Sequence, residues 1–242
     1  MNNMKIPIKF LIQNQLSGYL LCAIFIFSAC PPGCSQEVEE KTGAWIMYFG
    51  QNRVSNRFSI HSEIQWRNHS ISPNLEQLLL RAGLNYHIST DYMLSAGYGY
   101  ISTHPYDKDN ERISATEHRI WEQFIMKNSI SRFFFNHRYR YEQRWINGVF
   151  RQRLRYRLML SIPLNKRTIE KGSIILAVYD EIFLSTEKDR VFDRNRLYGA
   201  IGYHISRSTS FQAGLLEQSL PDYGKLYLQF ALFFNPDFRS DH

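Results

Sequence analysis

Charged side chains recur at every second residue in two stretches of this 242-residue chain. That spacing places them on one face of a β-strand. The denser stretch is HRYRYEQRWINGVFRQRLRYR, His137 to Arg157. It carries Arg138, Arg140, Glu142 and Arg144 before Asn147-Gly148, and Arg151, Arg153, Arg155 and Arg157 after it. The second, EHRIWEQ, carries Glu117 and Arg119. Guanidinium groups grouped in this way recognise carboxylates, phosphates or nucleic acid through charge and paired N–H donors. Bond-making chemistry has no comparable signature. The chain holds no G-x-S-x-G elbow, no H-E-x-x-H, no P-loop and no Rossmann glycine run. Ser114, Glu117 and His118 can be drawn into a hydrolase site, but their spacing sets no nucleophile against a base. No catalytic residue, metal ligand or cofactor is assigned.

The elements that position the arginines follow from the turn between them. Asn-Gly is the strongest short-range hairpin signal, and a two-residue turn sets Ile146 opposite Val149. One face then pairs Trp145 with Phe150, Tyr141 with Leu154, Tyr139 with Tyr156 and Phe135 with Leu160. The other pairs Arg144 with Arg151, Glu142 with Arg153, Arg140 with Arg155 and Arg138 with Arg157. A single register sorts both faces. Like charges directly opposite destabilise a sheet unless neighbours compensate. Pairing the preceding strand through KNSIS brings Glu117, Arg119, Trp121 and Gln123 to the arginine side. Glu181 on the following strand and Glu63 further round supply further carboxylates. The expected charge network is therefore Glu63, Glu117, Arg119, Arg138, Arg140, Glu142, Arg144, Arg151, Arg153, Arg155, Arg157, Glu181 and Arg196. Glu122 falls on the apolar face, and either a bulge or a place near an interface would account for it. Binding of single-stranded nucleic acid needs stacking aromatics on the same face as the cations. In this hairpin they lie on opposite faces, so no nucleic-acid partner is expected.

Period-two alternation continues along the chain. Candidate strands lie at 57–66, 76–88, 92–101, 115–127, 132–146, 149–162, 173–185, 194–205, 209–218 and 225–234, with a short one at 44–50. Several are 11–15 residues long, against about 5–6 for an ordinary strand and about 9–11 for a tilted membrane-spanning one. Ten strands in up-and-down order are expected, or twelve. An even count would put both chain ends on one side, leaving 44–50 as an extension or as one of a missing pair. Longer loops, 102–114 and 186–193, would face the cell exterior.

The first 36 residues carry Lys5 and Lys9, no acid, and the apolar block GYLLCAIFIFSA. This reads as a cleaved secretory signal peptide, too short for a spanning helix. FSAC also has the form of a lipobox, which would lipidate Cys30. All three cysteines (Cys22, Cys30 and Cys34) lie in this segment, so the exported part, 37–242, would be one domain without disulfides. The net charge of +7 falls to about +5 once the two lysines are removed.

The signal peptide, the E-x-R-x-W-x-Q pattern (Glu117, Arg119, Trp121, Gln123), the R-x-R-x-E-x-R stretch (Arg138, Arg140, Glu142, Arg144), Asp180-Glu181 and Arg194-Asn195-Arg196 resemble a known family. It is the outer-membrane barrel family of diderm bacteria catalogued as domain of unknown function 2490, and the resemblance spans roughly residues 44 to 236. It implies an all-β, single up-and-down antiparallel transmembrane β-barrel and implies no reaction. The chain departs from such barrels at its end, where four polar residues follow Phe238. The expected function is an outer-membrane barrel, structural or a narrow anion-preferring pore, with lipid outside and a small anion or other small solute inside. Two alternatives stand beside it: an outer-membrane lipid-modifying enzyme such as an acyl hydrolase, and a soluble periplasmic barrel that binds a ligand.

Overall fold

Strict alternation in the sequence becomes a wall with two chemically different sides. A computed structural model describes residues 37–38, 42–106, 110–187 and 190–239; the expected signal peptide, with all three cysteines, lies outside the described residues. The strands are β1 (Glu37–Val38), β2 (Gly43–Arg53), β3 (Phe58–Asn68), β4 (Leu75–His87), β5 (Tyr92–Thr103), β6 (Ala115–Ile130), β7 (Phe133–Ile146), β8 (Val149–Pro163), β9 (Ile174–Ser185), β10 (Phe192–His204), β11 (Thr209–Ser219) and β12 (Tyr223–Phe234). From β2 to β12 each strand pairs antiparallel with the next, and β12 returns to pair with β2. The result is a closed barrel of eleven strands.

The strand count corrects the expectation of ten or twelve. The 44–50 segment is neither an extension nor half of a missing pair. It is the core of β2, a full wall strand of 11 residues. An odd number of alternating strands can close only with one parallel pair, and β2 runs parallel to β12 from Gly43 opposite Tyr227 to Gly50 opposite Phe234. The two residues of β1 extend the same seam, opposite Tyr223 and Gly224. Strand β2 therefore begins at one rim and β12 ends at the other, so the expectation that both ends share a side fails. The near rim carries loops 69–74, 104–114, 147–148, 186–191 and 220–222. The far rim carries 54–57, 88–91, 131–132, 164–173 and 205–208.

Most outward positions are apolar, and every wall strand exposes at least one large hydrophobic side chain. Ile46, Ile60, Leu84, Tyr98, Ile120, Tyr139, Leu154, Ile174, Ile201, Leu215 and Phe230 are all exposed, Ile46 by 58%. Inward positions divide in two. Trp45, Met47, Tyr198, Leu216, Tyr227 and Ala231 form an apolar cluster on the β10–β12 and β2 side. The opposite side is lined by charged and amide groups.

Two local features hold the charged side in place. At the β7–β8 turn, Asn147 and Gly148 take φ values of 47° and 82°, as a type I′ turn demands. The resulting register is the expected one, Ile146 to Val149 through Phe135 to Leu160. Further round, Gly83 of β4 faces Gly97 of β5, and Gly97 faces Trp121 of β6. A Cβ at either glycine would come within 2.6 Å of the Trp121 ring. Two bare backbones therefore make the bed on which this indole lies flat inside the barrel.

Candidate functional site: the cationic lumen

Arginines project inward from β3, β4, β6, β7, β8 and β10, and most are buried. Burying a charge is costly unless it is paired and hydrogen-bonded. The carboxylates meet that demand by each serving several guanidinium groups. Glu142 has no exposed surface. It accepts from Arg153 Nη2 at 2.7 Å, Arg155 Nη1 at 2.7 Å and Arg119 Nη1 at 3.3 Å. Glu181 accepts from Arg138 at 2.6 Å and Arg155 at 2.7 Å. Glu117 takes a two-pronged contact from Arg144, at 2.9 and 2.8 Å, and a third donor from Arg119 at 2.6 Å. Asp193 joins Arg153 at 2.7 Å to Arg194 at 3.1 Å. Across the lumen, Glu63 accepts from Arg81 at 2.7 Å, with His61 Nε2 at 3.1 Å.

Aromatic rings on strands outside the hairpin carry a second set of contacts. Trp45, Trp121, Tyr179 and Phe183 face the same interior as the arginines, Trp121 as expected. The guanidinium carbons of Arg140 and Arg81 stand 5.1 and 5.8 Å from the Trp121 ring. Arg155 stands 4.2 Å from Phe183, Arg67 4.0 Å from Trp45, and Arg157 5.5 Å from Tyr179. Arg196 lies between Trp45 and Phe183, at 4.9 and 4.8 Å, and donates to Gln218 at 2.9 Å. Cations over ring faces gain electrostatically, so fewer carboxylates are needed to keep them inside.

The network leaves the lumen positive. A cavity of about 360 Å³ inside the barrel is lined by eleven arginines and Lys127, but only two carboxylates, Glu63 and Glu181. Adding Glu117, Glu142 and Asp193, which face the same interior, still leaves more than twice as many cations as acids. Several N–H donors have no acceptor: Arg81 Nε, Arg138 Nε, Arg140 Nη1 and Arg157 Nε. A larger groove of about 710 Å³ lies on the outer wall between Leu84, Leu94, Phe124, Tyr139 and Leu154. Its exposed lining is mostly apolar, although Glu122, Arg140 and Arg155 also border it.

Of the thirteen residues expected in the network, twelve face the interior. Arg151 does not join them. It sits exposed at the near rim, in the third residue pair from the turn, and salt-bridges Glu187 of the adjoining loop. Glu122 stands on the outer wall opposite Ala96 and Tyr141. Among the described residues the register breaks only between Arg67 and Asn68 and between Phe192 and Arg194, so no bulge turns Glu122 inward. Glu117 and His118 point to opposite sides: Glu117 enters the network, while His118 Nδ1 lies 2.5 Å from the Tyr98 hydroxyl on the outer wall. Ser114, Glu117 and His118 are therefore not brought together. Arg67, Arg81, Asp193 and Arg194 belong to the network without having been expected there. Arg81 shares the parity of Gln77 and Asn85, a signal that could have found it. Asp193 was hidden because the bulge at Phe192 breaks the alternation.

No curated protein and no solved structure matches the chain. Residues 42–225 match the family described as protein of unknown function, DUF2490, which covers the wall from β2 to the start of β12. The chain belongs to that family.

Proposed function

We propose that this chain is an exported barrel of a bacterial outer membrane, with its apolar wall toward lipid and a lumen that prefers anions. The carrying observation is the inversion of the wall: hydrophobic side chains stand exposed on all eleven strands, while most charges are inside, with Glu122, Asp180 and Glu217 among the exceptions on the outer face. Soluble monomers rarely expose contiguous apolar patches beyond a few hundred Å². Aromatic residues favour the same reading. Trp66, Tyr100, Trp145 and Phe150 lie outward toward the near rim, and Phe58, Tyr92, Tyr203, Phe211 and Phe234 toward the far rim. Such girdles mark the interfaces of membrane barrels. The strand lengths of 11 to 16 residues suit a tilted crossing. An odd count departs from the even numbers usual in bacterial barrels, and the parallel seam is how this wall accommodates it. Arginine rings serve anion pores.

The test has two parts. Fractionation should recover the protein only with detergent, migrating differently on gels before and after heating; release in salt or carbonate washes would favour a soluble ligand-binding barrel. In planar bilayers under a salt gradient, any current should reverse at a potential set by the anion. Cation preference would overturn the reading of the lumen, and an unconducting barrel would make it a closed chamber. Lipid analysis of a deletion strain tests the enzymatic alternative, and an altered lipid profile would support it.

A further inference from the structure

The unpartnered guanidinium donors inside the barrel are not scattered. Arg138 and Arg157 face each other directly across the β7–β8 pair. Arg140, two residues along β7 on the same side, stacks on Trp121 together with Arg81 of β4. Each of the four contributes a buried N–H with no acceptor, and all four line the same cavity. A buried donor left unmade costs the full desolvation of that group. Four in one cavity form a set waiting for one acceptor-rich guest.

The protein's own acids do not serve them. Arg140 Nε and Nη2 both donate to Gln123 Oε1, at 3.1 and 2.7 Å, while Nη1 finds its nearest carboxylate, Glu142, only at 3.9 Å. Arg138 uses Nη2 on Glu181, and Arg81 uses Nη1 on Glu63. Among the described residues Arg157 donates to no acceptor and is held only over Tyr179. Both carboxylates of the cavity are thus already engaged, and the spare donors belong to cations. N–H groups on several neighbouring guanidiniums match a tetrahedral oxyanion, which offers several oxygens, better than a halide. Three amide oxygens without partners, Asn85 Oδ1, Asn136 Oδ1 and Gln229 Oε1, belong to residues lining the same cavity, and would accept from an anion that still carries a proton.

We infer that Arg81, Arg138, Arg140 and Arg157 form a binding site for a small oxyanion of the phosphate type within the lumen. This deepens the anion-preferring reading of the lumen and does not depend on membrane insertion.

The test is calorimetric titration of the purified full chain, folded in detergent, with inorganic phosphate at constant ionic strength, and with chloride as the comparison. Phosphate should bind saturably at about one site, with little saturable binding of chloride. Arg140→Gln should weaken it by about tenfold or more, and the double variant R138Q/R157Q likewise. Arg151→Gln, at the rim, should leave it unchanged. Heat-dependent gel migration checks that each variant has folded; if R140Q does not fold, R157Q alone, which breaks no hydrogen bond, carries the test. Phosphate binding no better than chloride in the folded wild type, or binding unaffected by both lumen variants, overturns the site. A protein that binds phosphate but needs no detergent keeps the site and loses the membrane reading, so the two failures are distinguishable.

Discussion

Arg155 Nη1 donates to Glu142 Oε1 at 2.7 Å, although the sheet register sets neither opposite the other. Glu142 faces Arg153 and Arg155 faces Arg140. The diagonal contact lets one carboxylate serve two arginines of β8 and, with Arg119, a third from β6. The carboxylate is thus the hub of the network, and among the described residues no other acid bridges to the same three cations.

Removing that charge should be expensive. Glu142→Gln keeps the shape but leaves Arg119, Arg153 and Arg155 around a neutral group. A buried pair broken on one side costs about 3–5 kcal/mol, so the urea midpoint of the refolded barrel should fall clearly. Glu122→Gln on the outer wall removes no ion pair and should shift stability in detergent by no more than about 0.5 kcal/mol. Equal effects from the two would refute the hub.

The glycine bed under Trp121 makes a second demand. Gly97→Val forces the indole off the β4–β5 backbone and should destabilise by about 1–3 kcal/mol through overpacking. Near-ultraviolet circular dichroism should show the tryptophan losing its fixed setting. Gly199→Ala is the control, because a Cβ there meets nothing within 4 Å.

Sidedness can be read by labelling. Ser72 lies in a near-rim loop and Thr168 in a far-rim loop, and both are exposed. In intact cells, a membrane-impermeant maleimide should modify only one of Ser72→Cys and Thr168→Cys, and both after the outer membrane is permeabilised. Simultaneous labelling in intact cells would contradict a spanning barrel.

At the far rim the chain after β12 is clasped to the end of β2. Phe238 N donates to Arg53 O at 2.9 Å, and Arg53 N donates to Pro236 O at 2.9 Å. Arg239 donates from its side chain and backbone to Asp237, which holds that carboxyl down at about 2. A carboxyl depressed in the folded state stabilises above its ordinary range and loses that contribution as pH falls through its folded value. The clasp should therefore persist at pH 4 and loosen only near pH 2. Hydrogen exchange at the Phe238 amide checks this; loosening already at pH 4 would contradict it.

Much of this was legible in the residues. Asn147-Gly148 set one hairpin register, and alternation then placed Glu117, Glu142 and the β7 and β8 arginines on one side. What escaped has physical causes. In β2, GAWIMYFGQNR, inward Trp45, Met47 and Phe49 alternate with outward Ile46 and Tyr48, so both faces are apolar and the period is invisible. Strand parity at closure depends on where the last strand meets the first, which no local pattern encodes. Trp121 was placed on the arginine side, but the other lumen aromatics were not anticipated: on β7 and β8 rings and cations do separate, whereas Phe183 and Tyr179 of β9 interleave with Glu181 and lie against arginines from β8.

The parallel seam also sets an order of events. Its two strands are the first and last stretches of the wall to be synthesised, and their contact spans nearly the whole domain, so loop closure weighs most heavily there. Until β2 meets β12, the curled sheet carries two bare edges, each an invitation to pair with another chain. The seam is then finished with parallel hydrogen bonds, slightly weaker per residue than the antiparallel ladders elsewhere. The last joint made is in that sense the first to give, and an escort that shields strand edges during transit would have a defined place to hold.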